Sequence, residues 1–334
     1  MNQENLSAYT TPFHTGPISG LHFLVTGGAG FIGSNIVEYL LSFGAGRVRV
    51  LDNFSTGHRH NLAPFAQNPA FELFEGDIRN PATCAEACKD IHIVLHQAAL
   101  GSVPRSLADP LTTNDVNITG HLNMLEAARA NNVQRFVYAA SSSTYGDHPV
   151  LPKKEENIGN PLSPYAVTKY VNELYAGVYF RTWALPVIGL RYFNVFGPRQ
   201  DPNGAYAAVI PLFIRLMKAG QSPVINGAGL HTRDFTFVEN AVQANIRAAL
   251  TNNADALGQV FNVAVGDRTN LNQMTEIIGE LTRCPVKPIH GPERPGDIRD
   301  SLADISKAAA MLGYAPQVRL YEGLKRTVEW FGKG

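Results

Sequence analysis

The sequence is poor in cysteine and has no excess charge of either sign. It contains only three cysteines in 334 residues, too few for a disulfide framework, so we expect a reducing, cytoplasmic location. The 28 basic and 28 acidic residues give a formal net charge of zero. A zero balance argues against a general nucleic-acid or membrane-surface binder. We therefore expect neither nucleic acid nor a membrane as a partner.

Long apolar runs and metal-ligand sets are also missing from the sequence. No segment reaches the roughly 20 uninterrupted apolar residues of a membrane span. Residues 1–20 lack the basic and apolar regions of a signal peptide, and we interpret them as an N-terminal arm. Cys84 and Cys88 lie one helical turn apart without a matching second pair, so we expect two ordinary thiols and no metal site.

From Leu21 onward, short apolar segments alternate with amphipathic helical segments. Strands separated by helices imply parallel pairing and right-handed crossovers. The sequence therefore predicts an α/β fold, a doubly wound parallel sheet of the Rossmann type. The expected strands are His22–Thr26, Arg47–Asp52, Phe71–Asp77, Ile91–Ala99, Arg135–Ala140 and Val187–Arg191, and the expected helices are Phe31–Phe43, Thr113–Asn131 and Pro164–Arg181.

The regular alternation weakens after Arg191. Gly197–Gly204 is rich in proline, asparagine and glycine, and Arg283–Gly296 contains four prolines, so both segments are expected to be loops. We expect a smaller C-terminal substrate-binding domain in this part of the chain. The predicted division is an N-terminal arm over 1–20, a Rossmann domain over 21–190 with part of 236–265, and a substrate-binding domain in the remaining segments of 191–334.

A glycine-rich segment joins the first expected strand to the first expected helix. Gly27, Gly30 and Gly33 allow a tight turn, close approach of the backbone to a pyrophosphate, and close packing of helix on strand. The start of the helix then offers free N–H groups and a favourable dipole to phosphate. Asp52 ends the second strand at the spacing of a ribose-binding acid, and its carboxylate would repel a 2′-phosphate. The sequence therefore predicts NAD rather than NADP.

Tyr165 and Lys169 form the candidate catalytic pair. They are four residues apart on an expected helix, so they share one face. The preceding strand ends in Ser141, Ser142 and Ser143, and the carboxyl ends of parallel strands line the ligand crevice of such a sheet. A Tyr–Lys pair alone is common on helix surfaces. Here it meets the glycine loop at one sheet edge, which favours redox chemistry on a bound substrate.

Nearly the whole chain from Leu21 resembles the extended short-chain dehydrogenase/reductase family. The resemblance rests on TGGAGFIG (26–33), LDN (51–53), GDIRN (76–80), HQAA (96–99), SSSTYGD (141–147), PYAVTK (164–169), RYFNVFGPRQ (191–200) and RDF (233–235). Within the family, two segments are especially similar to the UDP-N-acetylglucosamine 4-epimerases of bacterial surface-polysaccharide pathways: LHQAALGSVPRS (95–106) and RQDPNGAYAAVIP (199–211).

The resemblance implies a mechanism. Lys169 and the positive nicotinamide would lower the pKa of Tyr165, which would take the proton of the sugar 4-hydroxyl while Ser141 hydrogen-bonds the reacting oxygen. Hydride would pass from C4 to NAD and return to the other face of the ketone, with Ser142 and Ser143 contacting the sugar. The implied cofactor contacts are Gly27, Gly30, Phe31, Ile32, Asp52, Asn53, Gly57, Asp77, Ile78, Gln97, Tyr165, Lys169 and Val195.

The resemblance also implies a UDP-sugar substrate. Ser301 stands where epimerases restricted to plain UDP-hexoses have a bulky tyrosine, which leaves room for an N-acetyl group. We therefore expect interconversion of UDP-GlcNAc and UDP-GalNAc, with side activity on UDP-Glc and UDP-Gal. The implied UDP contacts are Asn194, Arg233, Arg294 and Asp297, and the further implied substrate contacts are Ser102, Ser142, Ser143, Val209, Asn226 and Ser301.

Other functions of the same fold need different residues. A 4,6-dehydratase needs an Asp–Glu pair and a UDP-glucuronate decarboxylase a Glu directly after the catalytic serine, where this chain has Ser142 and Ser143. A non-enzymatic NAD-binding scaffold commonly lacks the Tyr–Lys pair, although fold alone does not decide this. A 4-epimerase of UDP-N-acetylhexosaminuronic acids, or another family member acting on a nucleotide sugar, stays open as an alternative.

The resemblance further implies a homodimer. The family builds it by packing two helices of each subunit into a four-helix bundle. The apolar positions of Thr113–Asn131 and Pro164–Arg181 permit such packing.

Overall fold

The computed structural model describes residues 9–203, 207–293 and 300–332. Its strands, in chain order, are β1 (His22–Thr26), β2 (Arg47–Asp52), β3 (Phe71–Glu75), β4 (Ile93–His96), β5 (Arg135–Ser141), β6 (Val187–Tyr192), β7 (Val195–Phe196), β8 (Val224–Asn226), β9 (Thr232–Arg233), β10 (Thr236–Phe237), β11 (Val260–Val263), β12 (Thr269–Asn270) and β13 (Ile289–Gly291). Seven of them pair in parallel in the order β11–β6–β5–β4–β1–β2–β3, and the others form two-stranded ladders.

Helices connect and cover these strands. They are α1 (Phe31–Ser42), α2 (Pro81–Ala87), α3 (Val103–Ala108), α4 (Pro110–Asn114), α5 (Gly120–Ala130), α6 (Pro164–Trp183), α7 (Val209–Lys218), α8 (Val238–Leu250), α9 (Leu271–Thr282), α10 (Ser306–Leu312) and α11 (Leu320–Trp330). Short 3-10 turns lie at Arg59–Asn61, Ala63–Phe65, Ser142–Tyr145 and Ala254–Ala256, and a π turn lies at Asp115–Thr119.

Alternating strand residues send apolar side chains into a core on each face of the sheet. Phe23 and Val25 of β1 join one core with residues of α1 and α8. Leu24, between them, joins the opposite core with residues of α2, α5 and α6. Because both faces are covered by helices and the paired strands are parallel, the predicted doubly wound Rossmann-type fold is confirmed.

The N-terminal arm and the later part of the chain add to this frame. Tyr9, Phe13 and Ile18 are buried in the core that contains α1 and α8, and Phe13 N donates to Tyr39 Oη over 2.7 Å. A third core joins residues of α7, α9 and α11 away from the sheet. β11 and α8 return to the sheet, and the division of the chain into a Rossmann and a substrate-binding domain stays a prediction.

Three expected segments differ from the structure. The strand expected over Ile91–Ala99 is confined to β4, because the chain leaves the sheet after His96. The helix expected over Thr113–Asn131 is broken by the π turn at Asp115–Thr119 into α4 and α5. The loop expected over Arg283–Gly296 contains β13, which pairs in parallel with β8.

The strand order changes direction between β1 and β4. From β1 the chain builds β2 and β3 on one side, then crosses to β4 on the other. At such a switch point the loops after two neighbouring strands lead to opposite sides, which opens a ligand crevice at their carboxyl ends. In the part of the chain that the structure describes, no helix combines the length and apolarity needed to cross a membrane.

Candidate active site

A cavity of about 590 Å³ opens at the carboxyl ends of β1 and β4. Its walls come from the loops after β1, β2, β3, β4, β5 and β6, together with the first turns of α6. Every residue expected to contact NAD lies in its lining: Gly27, Gly30, Phe31, Ile32, Asp52, Asn53, Gly57, Asp77, Ile78, Gln97, Tyr165, Lys169 and Val195.

The glycine loop brings backbone, without side chains, to one wall of this cavity. Gly27 has a φ of +68°, and a Cβ placed on it would lie 2.7 Å from Ala98 N. A Cβ on Gly33 would lie 2.1 Å from Gly27 O, so the packing of α1 on the loop requires glycine there. Among described residues, no side chain caps the start of α1 and no acidic residue lies in its first turn. Its N–H groups are left for a pyrophosphate.

Asp52 presents a fixed carboxylate beside this loop. Ala29 N donates to its Oδ2 over 2.9 Å and Phe54 N to its Oδ1 over 2.8 Å. Asp52 is only 7% exposed, and burial raises its pKa while the two N–H groups oppose that change. The carboxylate keeps lone pairs for ribose hydroxyls, so Asp52 and the bare glycine loop together fit NAD.

Asp77 marks the far side of the expected adenosine region. Its side chain receives a hydrogen bond from Asn53 Nδ2 over 2.9 Å and an ion pair from Arg79 over 2.7 Å. The Arg79 guanidinium lowers the pKa of this carboxyl to about 2. Asp77 is therefore ionised throughout the physiological range.

Tyr165 and Lys169 lie on the first turns of α6. Ser163 Oγ accepts from Ala166 N over 3.1 Å and so caps the helix just before the pair. Lys169 Nζ donates to Ala139 O of β5 over 2.9 Å and lies 6.0 Å from the centre of the Tyr165 ring. The strand thus fixes the lysine, and the helix carries the tyrosine beside it.

The pKa of Tyr165 depends on charge that the protein alone does not supply. Burial raises the pKa of its phenol, and a hydrogen bond with Ser141 opposes that rise. Burial also lowers the pKa of Lys169 to about 8, while Glu173 acts in the other direction. A lower pKa for Tyr165 therefore requires additional positive charge at the site, such as that of oxidised NAD.

The three serines at the end of β5 separate in the structure. Ser141 and Ser142 line the cavity together with Tyr165. Ser143 instead binds Ser141: its N and its Oγ donate to Ser141 Oγ over 3.2 and 2.9 Å. Ser143 therefore supports Ser141 rather than facing the cavity, unlike the sugar contact expected for it.

The other residues expected to contact the substrate differ in whether they line this cavity. Ser102 and Asn194 line the cavity, whereas Val209, Asn226, Arg233 and Ser301 lie outside its lining. Ser301 is adjacent to β9, since its N donates to Thr232 O over 3.0 Å. Arg294 and Asp297 lie outside the described residues.

A triangle of amide and phenol groups below the cavity was missed by the sequence analysis. Tyr192 Oη donates to Gln97 Oε1 over 3.0 Å, Gln97 Nε2 donates to Asn245 Oδ1 over 3.0 Å, and Asn245 Nδ2 donates to Tyr192 Oη over 2.7 Å. Gln97 and Tyr192 line the cavity, so the triangle fixes part of its floor. Tyr192 follows directly on the expected strand Val187–Arg191, which was the one local signal for it.

Comparisons with known proteins agree with a cavity that fits NAD. Residues 23–264 match the model of the NAD dependent epimerase/dehydratase family. The chain belongs to this family. Its expected membership of the extended short-chain dehydrogenase/reductases is thereby confirmed, and so is NAD as its cofactor.

Individual relatives match over almost their whole length. A UDP-glucose 4-epimerase of Mycolicibacterium smegmatis is 39% identical over 310 residues, 92% of this chain and 97% of the relative. A solved UDP-N-acetylglucosamine 4-epimerase of Methanobrevibacter ruminantium, in complex with UDP-N-acetylmuramic acid, is 39% identical with a TM-score of 0.89, covering 94% of this chain and 98% of the other. A UDP-glucose 4-epimerase of Thermus thermophilus, solved with NAD, is 34% identical with a TM-score of 0.84 over 93% and 99%.

Proposed function

We propose that the chain is an NAD-dependent 4-epimerase that interconverts UDP-GlcNAc and UDP-GalNAc through a 4-keto sugar. The observation that carries this proposal is the composition of the cavity where Tyr165, Lys169 and Ser141 meet. Ser142, directly after Ser141, lines that cavity, and no carboxylate stands there to act on C5 or C6. Similarity to 4-epimerases of UDP-glucose and UDP-N-acetylglucosamine supports 4-epimerisation of a UDP-sugar.

The chain's own residues handle the proton of the reaction. The glycine loop, Asp52 and Lys169 would hold NAD, which would supply reversible hydride transfer with the substrate carbon. Tyr165 Oη takes the proton of the sugar 4-hydroxyl in the first step and gives it back in the second. Ser141 Oγ, which is hydrogen-bonded to Tyr165, holds the reacting oxygen, and Lys169 keeps a positive charge beside the phenolate. Proton and hydride are both restored, so the sugar is epimerised without net oxidation.

Substrate choice is assigned to the region around Ser301. Its backbone is fixed against Thr232, and Arg233 follows Thr232 in β9. A serine side chain is small, and pocket volume excludes a large substituent more strongly than it rejects a small one. We propose that Ser301 leaves space for the N-acetyl group, with side activity on UDP-Glc and UDP-Gal.

The proposed reaction is tested by incubating the protein with UDP-GlcNAc, UDP-GalNAc, their uronic acids, UDP-Glc and UDP-Gal, and separating the products. We expect conversion of the two N-acetylhexosamines, which Tyr165→Phe abolishes because the phenol proton acceptor is gone. Tyr175→Phe on the same helix is the matched control and should stay fully active. Turnover confined to the uronic acids would contradict the proposed substrates, and full turnover by Tyr165→Phe would contradict the mechanism.

The role of Ser301 has its own test. Ser301→Tyr is expected to lower kcat/KM for UDP-GlcNAc by about tenfold to a few hundredfold, the range for steric discrimination by a pocket, while sparing UDP-Glc. The two sugars are assayed on one preparation, so UDP-Glc controls for folding. Equal effects on both sugars would remove Ser301 from substrate selection.

We also propose that the protein is a cytoplasmic homodimer. The helices α3, α4 and α6 contact one another, and we call their exposed apolar side chains the helical patch: Val103, Leu107, Leu111, Val167, Leu174, Tyr175, Val178 and Trp183. Large exposed apolar patches mark association surfaces. The patch shares α6 with the expected bundle, but its second side is α3 and α4 because most apolar residues of α5 are buried. The three free cysteines support a reducing compartment.

A further inference from the structure

Asp234 is a fully buried carboxylate beside the expected substrate residues. It follows Arg233 in the chain and is 0% exposed. Val265 N donates to its Oδ1 over 3.0 Å, and Gly266 N and Ala303 N donate to its Oδ2 over 3.1 and 3.2 Å. A buried carboxylate is costly unless hydrogen bonds compensate for lost water, and here backbone N–H groups supply them.

These bonds join four separate segments of the chain. Asp234 itself lies between β9 and β10. Its side chain binds the loop after β11 and the segment around Ala303. Its backbone oxygen accepts from Asn194 Nδ2 over 3.0 Å, which adds the segment after β6. We call this set of bonds the Asp234 clamp.

The clamp lies next to residues that are assigned to the nucleotide sugar. Arg233 directly precedes Asp234, and Asn194 is bonded to its backbone. Ser301 stands two residues before Ala303 and is also bonded to Thr232. Ala303 in turn pairs with Lys153 in a parallel bridge, so the segment is held from two sides. Asp234 therefore links three proposed substrate contacts from different parts of the sequence, Asn194 through its backbone oxygen and the segment of Ser301 through its carboxylate.

We propose that Asp234 is a positioning residue for nucleotide-sugar binding: its carboxylate aligns the segment of Ser301 with Arg233 and Asn194 without touching the substrate. This inference rests on the proposed function, because the roles of those three residues come from it. A neutral side chain at this position would leave N–H groups without an acceptor. The three segments would then separate, and a displacement of about 1 Å can cost on the order of a hundredfold in a positioned site.

The charge of the clamp gives it a pH dependence. Burial raises the pKa of Asp234 to about 6, the three N–H groups oppose the rise, and Asp267 adds to it. Tyr314 also faces this carboxylate. Arg319 interacts with Tyr314, and its Nη1 donates to Val265 O over 3.3 Å. Below the pKa, one carboxyl oxygen becomes an O–H directed at an N–H donor. Nucleotide-sugar binding is therefore expected to weaken as the pH falls through about 6.

The raised pKa of Asp234 has opposite consequences for substrate binding and for the stability of the fold. A carboxyl whose folded pKa lies above its unfolded value makes the folded state relatively more stable, not less, as the pH falls through the folded pKa. Protonation of Asp234 therefore does not unfold the protein between pH 6 and the ordinary aspartate range. A loss of binding near pH 6 at constant thermal stability would mark the clamp itself.

The experiment compares Asp234→Asn with Asp267→Asn, an exposed acid on the loop after β11 whose Oδ1 accepts from Arg268 N. The measured quantities are KM and kcat for UDP-GlcNAc, the Kd for UDP by calorimetry, bound NAD and the melting temperature. Asp234→Asn is expected to raise KM and the Kd for UDP by about tenfold or more, with kcat and NAD content within about twofold. Asp267→Asn should match the wild type in these quantities well above pH 6. Its pH profile should shift only to lower pH, because Asp267 helps to raise the pKa of Asp234.

The wild-type pH profile provides a second readout that needs no variant. The kcat/KM reports ionisations of the free enzyme and should fall by about tenfold or more as the pH is lowered through about 6, a fall that Asp234→Asn lacks. Unchanged UDP binding by Asp234→Asn, or a fall in kcat at constant KM, would overturn the positioning role. If the wild type binds UDP but epimerises no sugar, the proposed function fails while the clamp stands. A wild type that neither binds UDP nor epimerises would overturn both.

Discussion

Replacing Gly33 with alanine is the most severe test of how α1 packs on the glycine loop at the NAD site. The added Cβ would lie 2.1 Å from Gly27 O and 2.8 Å from Gly28 Cα, whereas real Cβ atoms essentially never come within 3.0 Å of such neighbours. Both neighbours are backbone atoms, so no side chain can rotate away. Helix α1 must move off the glycine loop by about 1 Å, and the N–H groups that face the pyrophosphate move with it. That displacement is expected to weaken NAD binding roughly a hundredfold, or about 2.7 kcal/mol.

Two other alanine variants test whether the loss of NAD affinity depends on how close the added Cβ comes to its neighbours. A Cβ on Gly30 would lie 3.1 Å from Gly27 O, and one on Gly20 would meet nothing within 4 Å. We expect a loss of NAD affinity of less than about tenfold for Gly30→Ala, because a few tenths of an ångström relieve the contact. Gly20→Ala should bind as the wild type does.

The assay measures NAD content after purification and the Kd of stripped protein by calorimetry, with circular dichroism to verify folding. The expected order of affinity is Gly20→Ala equal to wild type, then Gly30→Ala, then Gly33→Ala. Wild-type NAD binding by folded Gly33→Ala would refute the conclusion that the packing of α1 on the loop sets the phosphate site.

Three further predictions follow from buried or exposed side chains. Glu173→Gln breaks the ion pair of Glu173 with Arg191, whose side chains are 6% and 3% exposed. It should lower the free energy of unfolding, measured by urea titration, by about 3–5 kcal/mol. The control Glu75→Gln breaks an exposed ion pair and should lower the free energy of unfolding by about 1 kcal/mol or less. Asp52→Ala should weaken NAD binding by roughly ten- to a hundredfold, the value of a hydrogen bond to a charged group. The Kd values for NAD and NADP should also become more similar, because the carboxylate that repels the 2′-phosphate is gone. Leu111, 82% exposed, lies in the helical patch, and Leu111→Asp should convert a dimer to monomer in light scattering; an unchanged mass would contradict that interface.

Local signals in the sequence sufficed for the sheet and for the cofactor side of the site. Apolar runs located β1 and β2 at their observed limits, and glycine spacing placed Gly27 and Gly33 where an added Cβ would clash. The spacing between the loop and Asp52 put the carboxylate beside it. Such features depend on neighbours in sequence or on the regular βαβ connection, and both leave a local pattern.

Features set by distant contacts had no such pattern. The π turn before α5 contains Asn117, whose Oδ1 accepts from Leu100 N and whose Nδ2 donates to Thr168 Oγ1. The strand β13 forms inside a proline-rich stretch because β8 pairs with it. The Asp234 clamp joins residues about 30 to 70 positions apart, and the sequence near Asp234 does not predict its partners. Tertiary pairing of this kind overrides local propensity.

The ionisation of Tyr165 depends on more than the residues around it. Lys169 Nζ is held by Ala139 O, and burial raises the pKa of the phenol. Only the phenolate can accept the proton of a sugar hydroxyl, so further positive charge at the site is needed to make the phenolate available. The positive nicotinamide of the expected mechanism would supply that charge.

The central claim is that a hydride leaves C4 of the sugar and returns to the same carbon. It is tested most directly with UDP-GlcNAc deuterated at C4, incubated with the protein in ordinary water and analysed by NMR and mass spectrometry. The account predicts UDP-GalNAc that keeps its deuterium at C4, since the label stays on the bound cofactor between the two steps. Loss of the label to water during epimerisation would contradict it.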